Sequence, residues 1–241
     1  MPRFFCPQPL SLGSVVDLPE GVVRHIQVLR LKEGDSVTLF NGEGGEHIAT
    51  LTAVDRKTVV AEVKTFFPRE SELPFALNLA QALPEGSKME WIVEKAVELG
   101  ATALQPLSAQ RCVVKLSAER GEKKHGHWNG IVIAASEQSG RNRLMHLAEL
   151  TEFNQWIAQR DLHRRILLTP RGEQSLSEWA RHHPPQAATV IVGPEGGFTE
   201  AEEKAACSHG ALALSMGERI LRTETAGLTS LAALSAIWGG I

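Results

Sequence analysis

The sequence is poor in several features that would assign a function directly. Its 241 residues include only three cysteines, Cys6, Cys112 and Cys207, which are far apart and form no CxxC pair. The sequence therefore predicts neither a disulfide framework nor a cysteine-ligated metal. Because this cysteine usage suits a reducing compartment, and because residues 1–6 lack the apolar core of a secretory signal, we expect a cytoplasmic protein.

Long apolar runs and repeats are also missing. The most apolar stretch, over 226–241, contains Thr229, Ser230 and Ser235 and is shorter than the roughly 20 residues needed to span a bilayer. We interpret it as a buried helix and expect no membrane partner. With 43% hydrophobic and 22% charged residues and no low-complexity segment, the composition excludes a disordered chain.

Neither sign of charge dominates. The 25 Lys and Arg against 28 Asp and Glu give a formal net charge of −3. Bulk charge therefore does not indicate a nucleic-acid partner, although residues 88–143 carry an excess of Lys and Arg that would suit one. A solvated helix end explains the same excess, and composition alone leaves both interpretations open. His125 and His127 lack a third ligand nearby, so no metal is predicted.

The pattern of apolar residues divides the chain into two parts. Residues 1–70 alternate like short strands, with an Asn41-Gly42 turn and a short helix over 22–29, and they predict a small barrel. A polar segment flanked by Pro68 and Pro74 is the best linker. From residue 75 onward, strands alternate with helices, which predicts an α/β domain with a mostly parallel sheet. The predicted strands are 75–83, 103–107, 165–169, 189–192 and 211–214, and the helices are 88–99, 124–139, 176–182, 200–208 and 223–237.

Three loops follow strands in the last third of the chain, where parallel sheets bind ligands. The loop after the 189–192 strand reads Gly193-Pro194-Glu195-Gly196-Gly197, and its glycines let a ligand approach the backbone. Thr199 and Glu202 then form a capping-box pattern that begins a helix. A tight strand-to-helix turn explains the glycines equally well. Neither GxGxxG nor a P-loop motif occurs, so a nucleotide site of either kind lacks its fingerprint.

The last of these loops is rich in charge, with Arg219 and Arg222 among Glu218 and Glu224. Surface salt bridges are the ordinary explanation for such a run. However, the loop lies between a strand end and a helix of small residues, which indicates a loop held in place by close packing.

Several motifs together resemble the RsmE family of 16S ribosomal RNA uridine-N3 methyltransferases, within the SPOUT superfamily. The resemblance runs almost end to end and is specific in combination. The motifs are Val28-Leu29-Arg30 with Gly34-Asp35, Lys88-Met89-Glu90 through Glu98-Leu99-Gly100, Glu137-Gln138-Ser139-Gly140-Arg141, Gly193-Pro194-Glu195-Gly196-Gly197-Phe198, and residues 214–231.

The resemblance implies a fold, a cofactor and partners. It implies a PUA-like RNA-binding β-barrel over 1–70 and a SPOUT-type α/β domain over 74–241, with a C-terminal trefoil knot near 165–230. It also implies binding of S-adenosylmethionine, a homodimer, and a 16S rRNA substrate within the small ribosomal subunit. The implied cofactor-binding residues are Leu168, Thr169, Val192, Gly193, Pro194, Glu195, Gly196, Gly197, Leu214, Ser215, Met216, Gly217, Ile220, Leu221, Arg222, Thr223 and Thr225.

Catalysis and RNA binding both need charged residues, and the family motifs do not say which charged residue has which role. Arg222 is our first candidate for a catalytic role, because it could stabilise the charge on a deprotonated uracil. Removal of the uracil proton needs a base or water, and Glu195 and Glu224 are candidates for that base on position alone. Phosphate contacts are expected from basic residues, namely Arg3, Arg24, Arg30, Lys32, Arg111, Lys115 and Arg141. An RNA-binding module that has lost catalysis is the alternative, although intact glycines in the loops favour an enzyme.

Overall fold

The computed structural model describes residues 1–240 and divides into two compact units. The first unit contains Met1–Glu72 and Ser136–Leu144, and the second contains Leu73–Ala135 and Met145–Ile241. The first boundary falls inside the Pro-flanked segment predicted as the linker. The sequence placed residues 136–144 in the second domain, but the structure groups them with the first unit.

The first unit is built on a five-stranded sheet in the order β1-β3-β4-β5-β2. All neighbours are antiparallel except β1 and β3. The Asn41-Gly42 turn joins β3 to β4 as predicted, and Gly42 has a φ of 88° that glycine tolerates best. The elements are β1 (Arg3–Phe5), β2 (Val15–Asp17), α1 (Glu20–Leu29), β3 (Ser36–Phe40), β4 (Glu46–Val54) and β5 (Val59–Phe67).

Buried and exposed residues alternate along the strands, and the buried ones form the core of this unit. In β4 and β5 the buried and more exposed positions alternate over most of each strand, as a sheet with one covered face requires. Phe4, Leu39 and Leu51 from the strands pack with Val22 and Ile26 from α1 in one cluster. The helix is therefore held by its apolar face, and the predicted β-rich unit is confirmed.

The segment Ser136–Leu144 is attached to the first unit by polar contacts. The Arg141 side chain is only 4% exposed, and its Nε donates to Glu72 Oε1 at 3.0 Å while Nη2 donates to Glu72 Oε2 at 2.5 Å. Asn142 Nδ2 donates to the Arg69 carbonyl at 2.6 Å, and the amide of Phe5 donates to Glu137 Oε1 at 2.9 Å. The Arg141 guanidinium is therefore buried in an ion pair, an environment that disfavours contact with RNA phosphate, and that contact stays a prediction.

The second unit is built on an eight-stranded sheet in which every pair is parallel. Its strand order is β11-β13-β10-β12-β6-β7-β8, and β9 also pairs with β7. The strands are β6 (Leu77–Ala82), β7 (Ala103–Ser108), β8 (His146–Leu147), β9 (Thr151–Glu152), β10 (Arg164–Leu168), β11 (Gln174–Ser175), β12 (Ala188–Val192) and β13 (Leu212–Ser215). The helices are α2 (Lys88–Glu98), α3 (Ala118–Ser139, whose last residues belong to the first unit), α4 (Phe153–Ile157), α5 (Leu176–Arg181), α6 (Glu200–Ser208) and α7 (Thr223–Ile237).

The predicted alternation of strands and helices is confirmed, with differences at short or polar elements. Helix α3 begins at Ala118 rather than at residue 124, because its first turns are polar and show no apolar periodicity. Helix α4 and the two-residue strands β8, β9 and β11 were not predicted, since they are too short for a period to register. The trefoil knot stays a prediction.

Residues 1–240 contain neither a membrane-spanning helix nor a cluster of metal-ligating side chains. No helix in this range is long and apolar enough to cross a membrane. Within the same range, no group of three or more His, Cys, Asp or Glu side chains is arranged to hold a metal ion.

The contact between the 169–172 turn and β13 generates a stability prediction. A Cβ built at Gly172 would lie 2.6 Å from the carbonyl carbon of Leu214 and from the amide nitrogen of Ser215. Gly172→Ala forces backbone apart, and we expect it to destabilise the protein by about 1–3 kcal/mol. The measurement is thermal or urea unfolding. Gly126→Ala on exposed α3 is the matched control, and it should stabilise the protein by roughly 0.5–1 kcal/mol. Equal stabilities for the two variants would contradict the close approach.

A second prediction concerns the buried ion pair of the first unit. Arg141→Met keeps the apolar stem but leaves Glu72 without its partner, and we expect a loss of about 3 kcal/mol in the free energy of unfolding. Arg24→Met is the control, because Arg24 and Glu20 are 76% and 84% exposed and such pairs contribute little. Urea unfolding of both variants tests the difference, which should vanish if Arg141 is free to bind RNA.

Candidate functional site

The carboxyl ends of five neighbouring strands place five connections side by side. In the order β13-β10-β12-β6-β7, all strands are parallel, so the loop after each strand emerges at the same edge of the sheet. These connections surround a cavity of about 640 Å³, which we call the loop cavity. Its lining includes residues 168–171 after β10, 192–198 after β12 and 216–223 after β13, together with Lys88 after β6 and Arg111 after β7.

The loop after β12, residues 193–197, is called the glycine loop. Gly197 has a φ of 66°, and its amide donates to the Pro194 carbonyl at 2.8 Å to close a turn. A Cβ at Gly193 would lie 3.1 Å from the amide nitrogen of Phe198, so only glycine fits without displacing the backbone. The chain then enters α6 at the predicted capping box, in which Thr199 and Glu202 satisfy each other's amides.

A buried hydroxyl fixes the start of the glycine loop. Thr223, at the beginning of α7, donates from Oγ1 to the Gly193 carbonyl at 2.5 Å. The same Oγ1 accepts a hydrogen bond of 2.8 Å from Nε2 of Gln81, which is fully buried in β6. Three elements distant in sequence are thereby joined at one point.

An ion pair holds the middle of the glycine loop. Glu195 Oε1 accepts from Lys88 Nζ at 2.6 Å and from the amide of Glu85 at 3.1 Å. Burial raises the pKa of Glu195, but the bond from Lys88 and backbone amides outweigh it, so the pKa lies below its ordinary value. The bond to Glu195 in turn raises the pKa of Lys88. Both groups are therefore charged at neutral pH, and Glu195 is a poor proton acceptor.

The loop after β10 is fixed to α6. Thr169 Oγ1 accepts from the amide of Arg171 and donates to Glu203 Oε1, at 3.3 Å in each case. The Arg171 guanidinium pairs with Glu203 Oε2 at 2.7 Å. Arg171 and its carboxylate partner Glu203 both line the loop cavity, so the positive charge of Arg171 is neutralised there.

Two exposed cations of the loop cavity, Arg219 and Arg222, pair with no carboxylate among residues 1–240, and Arg222 is the one next to α7. It is exposed at the N-terminus of α7, and among residues 1–240 its side chain has no carboxylate within 4 Å and no hydrogen bond. Its charge lowers the pKa of Lys88 through the field at the site, although the bond to Glu195 has the larger effect. The structure thus provides an uncompensated positive charge at the wall of the cavity.

The structure brings most of the residues implied for cofactor binding to the loop cavity. The exceptions are Leu214, Ser215 and Thr225, which do not line it. Leu214 is buried in β13 and its carbonyl accepts from the Thr169 amide, while Ser215 Oγ donates to the Gln174 carbonyl. Thr225 lies exposed in the first turn of α7. The other implied residues line the cavity, and ligand binding itself stays a prediction for them.

The basic residues expected to bind RNA occupy different environments. Arg24, Arg30, Lys32, Arg111 and Lys115 are exposed. Arg3 is mostly covered, because it pairs with Glu46 and donates to Asn142 Oδ1. Arg30 ends α1 with a φ of 56°, the only left-handed conformation at a non-glycine residue in the described chain, 1–240. Such a conformation is costly for arginine and marks a site worth testing.

Sequence reasoning did not assign Lys88 and Arg111 to the loop cavity. In the sequence, Lys88 belongs to a helix motif, and Arg111 is predicted to contact RNA. Both residues come after predicted strands, and this position is the one feature of the sequence that could have placed them at the ligand-binding edge of the sheet. Without the strand order, nothing in the sequence indicates that β6 lies beside β12 and that β7 lies on the other side of β6.

Comparison with protein families also divides the chain near residue 70. A family model described as an RNA methyltransferase domain matches residues 71–235. A second model, described as an RNA methyltransferase PUA domain, matches residues 18–64. The first match covers more than half of the chain and contains every loop of the cavity.

Individual relatives agree with these matches. The chain is 35% identical over 221 residues to ribosomal RNA small subunit methyltransferase E of Bacillus subtilis, covering 88% of this chain and 86% of the relative. The corresponding Synechocystis protein is 34% identical, with coverages of 94% and 74%. Among solved structures, the Neisseria gonorrhoeae enzyme of this name, bound to S-adenosylmethionine, has a TM-score of 0.92 and 38% identity, covering 99% and 98%. A Legionella pneumophila methyltransferase bound to the same cofactor also has a TM-score of 0.92, at 35% identity and coverages of 97% and 96%. Given these matches, the chain belongs to the ribosomal RNA small subunit methyltransferase E family.

Proposed function

We propose that this protein transfers a methyl group from S-adenosylmethionine to N3 of a uridine in 16S ribosomal RNA of the small subunit. One observation carries the proposal. The loop cavity lies at the carboxyl ends of the parallel strands, in a fold that shares a TM-score of 0.92 with two methyltransferases solved with S-adenosylmethionine. Ligands bind at this edge in open parallel sheets generally.

The residues of the loop cavity fit this cofactor. Leu168, Val192 and Leu221 supply apolar walls for a heterocyclic base. A Cβ built at Gly197 or Gly217 would meet no protein atom within 4 Å, so at these positions a ligand can approach the backbone that a side chain would cover. The volume of about 640 Å³ lies within the range of small-molecule sites.

When bound, S-adenosylmethionine supplies a methyl group on a positively charged sulfur that leaves as a neutral thioether. The protein must align the acceptor nitrogen with that methyl group and stabilise the acceptor's reactive form. N3 of uridine carries a proton, and its nucleophilic form is an anion shared with the neighbouring carbonyl oxygens. Arg222 has no compensating carboxylate, so its guanidinium is free to stabilise that anion as a preorganised donor.

The proton on N3 needs an acceptor other than Glu195. That carboxylate is engaged by Lys88, and its pKa is lowered, so it has little tendency to take up a proton. We propose that Glu195 holds the glycine loop in place. The N3 proton passes to solvent water. With S-adenosylmethionine bound, the loop cavity would hold the methyl group in line with N3, so that the N–CH₃ bond could form as the cofactor releases its neutral thioether.

RNA binding is assigned mainly to the first unit. The PUA-domain match lies there, and Arg24, Arg30 and Lys32 are exposed cations within or next to it. Such residues position the RNA backbone, while the target base leaves its stack to reach the methyl donor. We further propose that the enzyme works in the cytoplasm as a homodimer. The alternative of an RNA-binding module without catalysis is not favoured, because the loop cavity is intact.

The proposed function is tested by transfer of labelled methyl groups. Purified protein is incubated with S-adenosylmethionine and either small subunits or free 16S rRNA, both from cells lacking the modification. Nucleoside mass spectrometry should then reveal 3-methyluridine. Methylation of another base or another ring atom would overturn the uridine-N3 assignment, and absence of cofactor binding by calorimetry would overturn the proposal as a whole.

The role of Arg222 yields a kinetic prediction. Arg222→Ala should lower the single-turnover methylation rate roughly 10²- to 10³-fold, as loss of one preorganised donor does, while S-adenosylmethionine affinity changes little. Arg222→Lys should restore only part of the rate, because lysine keeps the charge but lacks the planar fork. Calorimetry and rapid-quench kinetics on the same preparations provide both values.

The reverse pattern of effects on affinity and rate would give Arg222 a structural role instead of a catalytic one. A tenfold loss of cofactor affinity with an unchanged methyl-transfer rate would show that Arg222 braces the cavity instead of acting on the uracil.

A further inference from the structure

We propose that Arg111 is a positioning residue that holds the glycine loop in its ligand-binding conformation, rather than a contact to RNA phosphate. The inference rests on the proposed function, because it concerns affinity for S-adenosylmethionine. It assigns a role to a side chain that sequence reasoning grouped with the RNA-binding residues.

The guanidinium of Arg111 spans the tightest part of the glycine loop. Its Nη1 donates to the Gly196 carbonyl at 2.9 Å and to the Phe198 carbonyl at 3.3 Å. These carbonyls flank Gly197, the residue with a φ of 66°. By binding both carbonyls, the Arg111 guanidinium holds the backbone on either side of Gly197.

The aliphatic part of Arg111 also packs against the loop. A Cβ built at Gly196 would lie 3.3 Å from Cβ and 3.5 Å from Cδ of Arg111. Glycine at position 196 thus lets the arginine stem approach the loop backbone closely. The contact combines packing with hydrogen bonds along the length of one side chain.

The backbone that carries Arg111 is itself fixed. The amide of Cys112 donates to the Ala109 carbonyl, and the amide of Ala109 lies 3.4 Å from Cys112 Sγ, which forms a tight turn directly after β7. The amide of Gln110 donates to Glu202 Oε1 at 2.8 Å, and Glu202 is 2% exposed. Arg111 therefore projects from a turn anchored to both the sheet and α6.

A fixed arginine on a fixed turn reduces the cost of ligand binding. Without it, the glycine loop keeps more conformational freedom in the free protein and must lose that freedom when a ligand binds. A phosphate contact would instead add one counterion to the salt dependence of RNA binding without affecting the cofactor. The two roles thus make different predictions for one substitution.

The experiment compares Arg111→Ala, Arg111→Lys and the surface control Arg120→Ala with the wild-type protein. Arg120 is exposed on α3 and lies outside the loop cavity. We expect Arg111→Ala to weaken S-adenosylmethionine binding in calorimetry about tenfold and to raise KM for it similarly. The kcat at saturating cofactor should change less than about threefold, since only the ordering of the loop is affected. Arg111→Lys should recover part of the affinity, and Arg120→Ala should match the wild type.

RNA binding is measured on the same variants across a range of salt. The slope of log affinity against log salt should stay unchanged in Arg111→Ala, whereas a lost phosphate contact reduces it by about 0.7–0.9. Unchanged cofactor affinity in Arg111→Ala would overturn the proposal, and so would a reduced slope accompanied by unchanged KM. Failure of the wild-type protein to bind S-adenosylmethionine would instead contradict the proposed function, so the two failures are distinguishable.

Discussion

The conformation of the glycine loop depends on side chains from three other parts of the second unit. Thr223 binds the Gly193 carbonyl, Lys88 binds Glu195, and Arg111 binds the carbonyls of Gly196 and Phe198. A loop with this many glycines has high entropy when free, so contacts at its start, middle and end are needed to hold one shape. The contacts from Lys88 and Arg111 exist because β12, β6 and β7 are consecutive in the sheet and their carboxyl ends share one edge.

The electrostatics of the loop cavity follow from the same arrangement. Lys88 pairs with Glu195 and Arg171 pairs with Glu203, so these charges largely cancel within the wall. Arg222 has no such partner among the described residues and retains its positive charge for a ligand. A site that must stabilise a transient anion needs a cation of this kind, because a paired arginine would already be neutralised.

In the first unit, burial decides whether a basic residue can reach RNA. Arg141 lies in a polar motif two residues before another arginine, Arg143, and in sequence it resembles an RNA contact. In the structure it is buried against Glu72 and ties the segment Ser136–Leu144 to the end of the Met1–Glu72 part of the first unit. Arg24 and Lys32 look no different in sequence, yet they are exposed and remain available to RNA.

The sequence by itself determined the local elements of this protein. Periodicity located the long strands and helices, Asn41-Gly42 located the first hairpin, and Thr199 with Glu202 located the start of α6, because each of these signals acts between residues close in the chain. The five motifs in combination, including the one around Gly193–Gly197, also sufficed to indicate the family. Only the tertiary structure decided which strands are neighbours, and hence that Lys88 and Arg111 join the loop cavity while Leu214, Ser215 and Thr225 do not. Burial of Arg141 was likewise decided by packing. Strand order and burial depend on contacts between residues far apart in sequence, and no local pattern encodes them.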